Sequence, residues 1–142
     1  MTVPPERALR LLGGHSRRGR PRPPLENFLT PAGGLRSSAE DILRFLTACL
    51  TPPAGELGAA LALAQQPHTR MRSGVAMGLC WIVSSPQKGP TVIWHNGGTW
   101  GFRAFAGFAP ERGSASVVLS NTARGVERTG LRLIAGAPSA AY

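Results

Sequence analysis

The spacing of apolar positions changes part-way along this chain, from a helical period to a strand period. Ile42, Leu43, Phe45, Leu46, Cys49 and Leu50 recur at the spacing that lines one face of an α-helix. Ser37 and Glu40 before them fit a capping box, in which each side chain bonds a backbone N–H near the other. Thr51-Pro52-Pro53 ends the helix, because proline cannot continue the hydrogen-bond ladder. Residues 55–66, rich in Ala and Leu, predict a second helix. From Val75 the period shortens: Met77, Leu79, Trp81 and Val83 alternate with Gly78, Cys80 and Ile82, which predicts a strand. Thr91 to His95 predicts the next strand, broken by Asn96-Gly97-Gly98. Phe102, Ala104, Ala106 and Phe108 alternate along a third strand, and Ala115 to Ser120 form a fourth. Turns are expected over residues 86–90 and 110–113. A closing helix over 124–135 offers Val126, Leu131, Leu133 and Ile134 to the sheet.

Connections this short favour an antiparallel meander, since parallel neighbours need a long crossover. Helices, then an antiparallel sheet, then a closing helix make an α+β fold with flanking helices. The first residues carry little periodicity. Ala8, Leu9, Leu11 and Leu12 suffice for a short helical turn, Gly13-Gly14 ends it, and Pro31-Ala32-Gly33-Gly34 is a turn signal. Residues 1–24 therefore read as an irregular, basic, Pro/Gly-rich lead-in, and residues 25–142 as the domain. The 142 residues suit one domain.

Charge narrows the class of partner. The formal net charge is +9, and Lys88 is the only lysine among 16 basic residues. The densest run is Arg17-Arg18-Gly19-Arg20-Pro21-Arg22. It has no aromatic residue to stack on bases, and its Pro and Gly argue against a recognition helix, so it reads as a solvated basic loop rather than a nucleic-acid surface. A salt-dependent DNA shift would support the opposite reading. No stretch approaches the ~20 apolar residues of a membrane span, so no membrane partner is expected. The N-terminus lacks a signal-peptide pattern, so a chain complete as given is expected in the cytoplasm. Cys49 and Cys80 read as core thiols, and no metal-ligand spacing is present; His15 and His68 have no partner nearby in sequence. No metal or other cofactor is expected.

Two segments carry a resemblance. Residues 31–46, Pro-Ala-Gly-Gly-Leu-Arg-Ser-Ser-Ala-Glu-Asp-Ile-Leu-Arg-Phe-Leu, resemble the "aGGl-S-T-x-x-D-l-x-x-f" stretch of class C β-lactamases, serine carboxypeptidases and related esterases. Trp94-His95-Asn96-Gly97-Gly98-Thr99-Trp100-Gly101-Phe102 is similar to that family's third motif, Lys/His-x-Gly. Residues 108–113 and 117–121 follow as its "P-x-x-G" hairpin and "v-v-L-x-N" strand. Gly78-Leu79-Cys80-Trp81 resembles its "G-l-G-W" strand, with Cys80 in place of the usual glycine. The resemblance implies a partial β-lactamase/transpeptidase-like fold, the C-terminal portion of a serine hydrolase.

In that family a serine in S-x-x-K attacks the acyl carbon, the lysine takes its proton, and a Y-x-N or Y-x-S motif lines the opposite wall. Ser85-Pro86-Gln87-Lys88 matches S-x-x-K in letters but lies in a turn between strands, and the only tyrosine is Tyr142. Only the third motif is present in context. By resemblance, His95 is its proton-sharing member, the Gly98 N–H is an oxyanion donor, and Asn96 and Gly97 bind substrate. The residue more common at the His95 position is lysine; histidine shifts the expectation toward carboxypeptidase and esterase branches. Asn121 and Arg124 follow the last strand, where relatives can hold a carboxylate-binding residue, and here they read as solvated surface. The expected substrate is a small-molecule or peptide-like acyl compound, handled together with an upstream half of the same fold. The chain alone is expected to be inactive and marginally folded; the alternative is a non-catalytic α+β binding or remnant module.

Overall fold

The computed structural model describes residues 4–23 and 30–136. Its elements run α1 (Pro5–Ala8), α2 (Thr30–Gly33), α3 (Ala39–Leu50), α4 (Glu56–Gln65), β1 (Thr69–Arg72), β2 (Val75–Met77), β3 (Ile82–Ser84), β4 (Val92–Thr99), β5 (Phe102–Ala109), β6 (Ser114–Ser120) and α5 (Glu127–Ile134). The strands form one six-stranded antiparallel sheet in sequence order. The α+β meander expected from the pattern is the architecture found.

The helix α3 begins one residue later than the capping box suggests. Ser38, not Ser37, is its N-cap: the Ser38 hydroxyl accepts from the Asp41 N–H at 3.1 Å and donates to the Asp41 carboxylate at 2.8 Å. Glu40 instead pairs with Arg44 at 2.6 Å, one helical turn on. Leu46 and Cys49 face inward and join Trp81, Val83, Ile93 and Phe108 in one core layer. Trp81 is sandwiched there, stacked on Phe45 and edge-on to Phe108. Burial pushes the Cys49 thiol pKa up, as expected of a core cysteine.

On the opposite face of the sheet, α5 packs over Phe105 and Ala109 of β5 through Ile134, and Val126 just before it joins the same cluster. Gly130 allows this approach, since a Cβ there would run into the Phe105 ring. The Ser116 hydroxyl donates to the Gly130 carbonyl at 2.9 Å and ties the helix to β6. Helix α5 is shorter than expected, because residues 124–126 form the loop that leads into it, and Leu133 stays exposed.

Four sequence expectations change. The single strand expected from Val75 is a hairpin: β2 and β3 are joined by a turn in which the Gly78 N–H donates to the Trp81 carbonyl at 2.8 Å. Cys80 in that turn takes a left-handed φ of 63°, and it is exposed rather than in the core. The strand β1, Thr69–Arg72, was not expected, because every residue in it is exposed and no apolar alternation marks it. Asn96-Gly97-Gly98 does not break its strand, because pairing with β5 continues to Thr99.

Candidate active site

Strands β4 and β5 are joined by the two residues Trp100-Gly101. Gly101 has φ +83°, a conformation that disfavours a side chain, and a Cβ there would also strike the His15 backbone N at 2.5 Å. The pair flanking a two-residue turn, Thr99 and Phe102, exchanges hydrogen bonds, and bonded pairs then alternate with non-bonded ones along the ladder. Trp94, Asn96 and Gly98 therefore turn their N–H and C=O groups away from β5. Trp94 finds Ile82 there, the first residue of β3. Beyond it β3 offers nothing, so among the described residues the backbone groups of Asn96 and Gly98 face an open edge without a backbone partner.

Side chains on β4 alternate between the two faces. Trp94 stacks on Phe105, on the α5 side, so Asn96 and Gly98 share that side. Ile93 belongs to the α3 layer, so His95 and Gly97 share that one. The His95 side chain is exposed, with no hydrogen-bond partner among the described residues. Gly97 is exposed, with nothing near the place where a Cβ would stand. The Asn96 amide donates to the Glu127 carboxylate at 2.6 Å. That bond, followed by Glu127's own backbone N–H and more weakly by Arg103, holds the Glu127 carboxyl below the usual glutamate range. A Cβ on Gly98 would coincide with the Arg103 guanidinium, which lies over it.

A family model described as Beta-lactamase matches residues 1–138. The chain belongs to the β-lactamase family. Among curated proteins, none matches this sequence. Its fold is that of solved relatives. A β-lactamase/D-alanine carboxypeptidase from Pseudomonas syringae superposes with a TM-score of 0.84 at 17% identity, over 98% of this chain and 48% of that one. A D-alanine carboxypeptidase AmpC from Burkholderia cenocepacia superposes with a TM-score of 0.80 at 23% identity, over 95% and 49% of the two chains. A class C β-lactamase from Rhodobacter sphaeroides gives 0.73 at 19% identity, over 85% and 43%. The chain thus spans about half the length of the solved structures it matches.

Of the four residues singled out in this β-lactamase-family sequence, His95 and Gly97 share one face, and Gly98 presents its N–H at the edge between faces. The Asn96 side chain turns to the other face, where Glu127 holds it. Ser85 is not among them: its hydroxyl lies 3.2 Å from Thr91, at the other end of the strand. Four residue steps lead from Thr91 to His95, roughly 13 Å of extended chain. Among the described residues no cluster of three or more His, Cys, Asp or Glu could hold a metal ion.

The sequence reading missed His15. Its N–H donates to the Asn121 carbonyl at 2.8 Å and to Gly101 at 3.2 Å, and its carbonyl accepts from the Ala123 N–H at 2.9 Å. The Asn121 amide donates to the Gly13 carbonyl at 3.2 Å. This clamp fixes the β4–β5 turn to the end of β6. It is made mostly of backbone groups, with the Asn121 amide added, so little side-chain pattern announces it; Gly14, where a Cβ would strike the Trp100 carbonyl and the Phe102 ring, is part of its sequence trace.

Proposed function

We propose that this chain supplies the third-motif wall of a serine hydrolase cleft, which forms an acyl-enzyme on a β-lactam, peptide or ester substrate, and that it is inactive by itself. The observation that carries the reading is the open edge of β4. It sets the Gly98 N–H in the sheet plane next to His95 and Gly97. An amide-like substrate laid along that edge would satisfy the free backbone groups, and the Gly98 N–H would donate to the developing oxyanion. His95 would share a proton with the nucleophile or with a tyrosine of the opposite wall. Asn96, its side chain held by Glu127 on the other face, would position the strand and bind substrate through its backbone at the edge.

The nucleophile and its base would come from an upstream half of the same fold. Ser85 is a poor substitute, being tied to Thr91 in an exposed turn far from His95. The purified chain should not turn over a chromogenic cephalosporin or a p-nitrophenyl ester above a buffer control. Joined to an upstream segment carrying S-x-x-K and Y-x-N, it should gain turnover that His95→Ala reduces by about 10²-fold or more. Turnover by the chain alone that vanishes on Ser85→Ala would overturn the proposal.

A further inference from the structure

The basic run is not a loose tail. The Ser16 N–H donates to the Arg20 carbonyl at 2.8 Å, the Arg22 N–H to Gly14 at 2.8 Å, and the Gly19 N–H to Ser16 at 2.9 Å. Gly19 takes φ +77° at the bend, and the Ser16 hydroxyl accepts from the Arg20 N–H at 3.1 Å. His15 bridges to both Pro21 and Thr122, so this small hairpin is laced to the loop after β6. Two arginines lock the junction: Arg17 Nε donates to the Ala123 carbonyl at 3.2 Å, and Arg124 Nε to the Arg17 carbonyl at 3.3 Å.

The result is a concavity of about 470 Å³ lined by Ser16, Arg17, Arg18, Arg20, Arg22, Arg103 and Ala123. That volume is in the range of small-ligand sites. None of these lining residues is acidic, and Arg44, which pairs with Glu40 and Asp41, lies outside the concavity. Like-charged guanidinium groups around one concavity repel one another, and a bound anion reduces that repulsion; of the five, Arg103 also feels the Glu127 carboxylate. Each guanidinium is a planar fork matched to oxyanions. A monocarboxylate engages one fork; a chain of phosphates offers oxygens to several at once. No lining residue is aromatic, so nothing here stacks on a nucleobase. Arg103 approaches from the α5 face, so the concavity is separate from the face that carries His95.

We propose that this arginine-lined concavity binds a compact ligand with two or more adjacent phosphate groups. The inference does not depend on the hydrolase reading, because its readout is binding. The experiment is calorimetric titration of the whole chain with pyrophosphate and tripolyphosphate, beside sulfate, citrate and a short DNA duplex. Expected is saturable one-to-one binding of tripolyphosphate, at least 10-fold tighter than sulfate or citrate. Arg18→Gln with Arg20→Gln should weaken it at least 10-fold without lowering the thermal midpoint, since neither side chain braces the loop. Arg70→Gln, on the exposed strand β1, should leave it unchanged. Should the paired substitution disturb folding, each single variant is titrated instead, with the same criterion of weakened binding. Equal affinity for citrate and tripolyphosphate, loss equal in the Arg70 variant, no saturable binding, or tight DNA binding that tripolyphosphate fails to displace would each overturn the proposal.

Discussion

The two faces of the sheet are finished to different degrees. On the α5 side, Phe105 is 1% exposed, and the helix, Val126 and Ile134 seal it. On the α3 side, the layer is closed where Leu46 and Cys49 meet Phe108, then stops. Beyond it, toward the β4–β5 turn, His95 and Gly97 are exposed and Leu119 is 41% exposed. The sealed face needs only residues of this chain. The unfinished one ends at the edge where the third motif lies, which suits a cleft whose other wall is built by different residues. Apolar surface and free backbone edges left together favour association with another segment.

This contrast is broken most directly by truncating one large side chain on each face. Phe105→Ala should cost about 3–5 kcal/mol, because it removes a fully enclosed ring and leaves a cavity that Gly130 and Gly107 cannot fill. Leu119→Ala should cost less than about 1 kcal/mol in the isolated chain, since much of that side chain is already in water. Joined to an upstream half, the Leu119 variant should become distinctly more costly and the binding of a hydrophobic dye should fall. Urea melts of the variants in both settings measure this. Equal costs for the two truncations in the isolated chain would mean that the α3 side is as complete as the other.

The close approach of α5 offers a second test of the sealed face. Gly130→Ala raises helix propensity by about 1 kcal/mol. It also drives a methyl group into the Phe105 ring, and overpacking costs about 1–3 kcal/mol. A net loss of about 1–2 kcal/mol is expected in a thermal melt. A gain would show that the helix can shift outward and that the face is looser than its burial suggests.

How much of this was legible in the sequence depends on which signal each element carries. Helix α3 announces itself through apolar periodicity, because a one-sided burial pattern is what that periodicity records, and β5 shows the alternation of one of its two buried faces. Strand β1 has no buried side, so it leaves no such mark. The His15 clamp is carried mostly by backbone groups, which the letters do not encode. Glycines at 97 and 98 read as a break by local propensity, but cross-strand pairing with β5 overrides it. Phe105 fell outside the alternating set because β5 is buried on both faces, and period two then marks only one of them. The third-motif residues were found by resemblance; their shared position at an open edge came from the register.

The turn that opens this edge gives a smaller effect of opposite sign. Cys80 holds φ 63° just before β3, where a residue with a Cβ costs about 1–2 kcal/mol. Cys80→Gly removes that strain but gives the unfolded chain more freedom, about 0.4–1 kcal/mol. A net stabilisation of about 0.5–1 kcal/mol should appear as a higher melting temperature. Destabilisation would mean that the Cys80 side chain makes contacts that outweigh its backbone strain.

The smallest effect concerns the bond between the open segment of β4 and the sealed face. The Asn96 amide meets the Glu127 carboxylate at 2.6 Å, and that bond is the leading reason the Glu127 pKa lies below its ordinary value. A carboxyl with a lowered folded-state pKa binds protons more readily when the chain is unfolded. Its contribution is therefore fully present above the ordinary glutamate range and is lost as the pH falls through the lowered value. Removing the amide by Asn96→Ala should cost below about 1 kcal/mol near neutrality, because the pair is only partly buried. The gap between the two proteins should then close as the pH is taken from about 7 to about 3. Glu127→Gln should show the same small cost near neutrality and lose this part of the pH dependence. Melts of the three proteins across that range decide the matter. A gap between Asn96→Ala and the parent that stays constant with pH would mean that Asn96 acts through packing, and that the carboxylate does not anchor the site strand to α5.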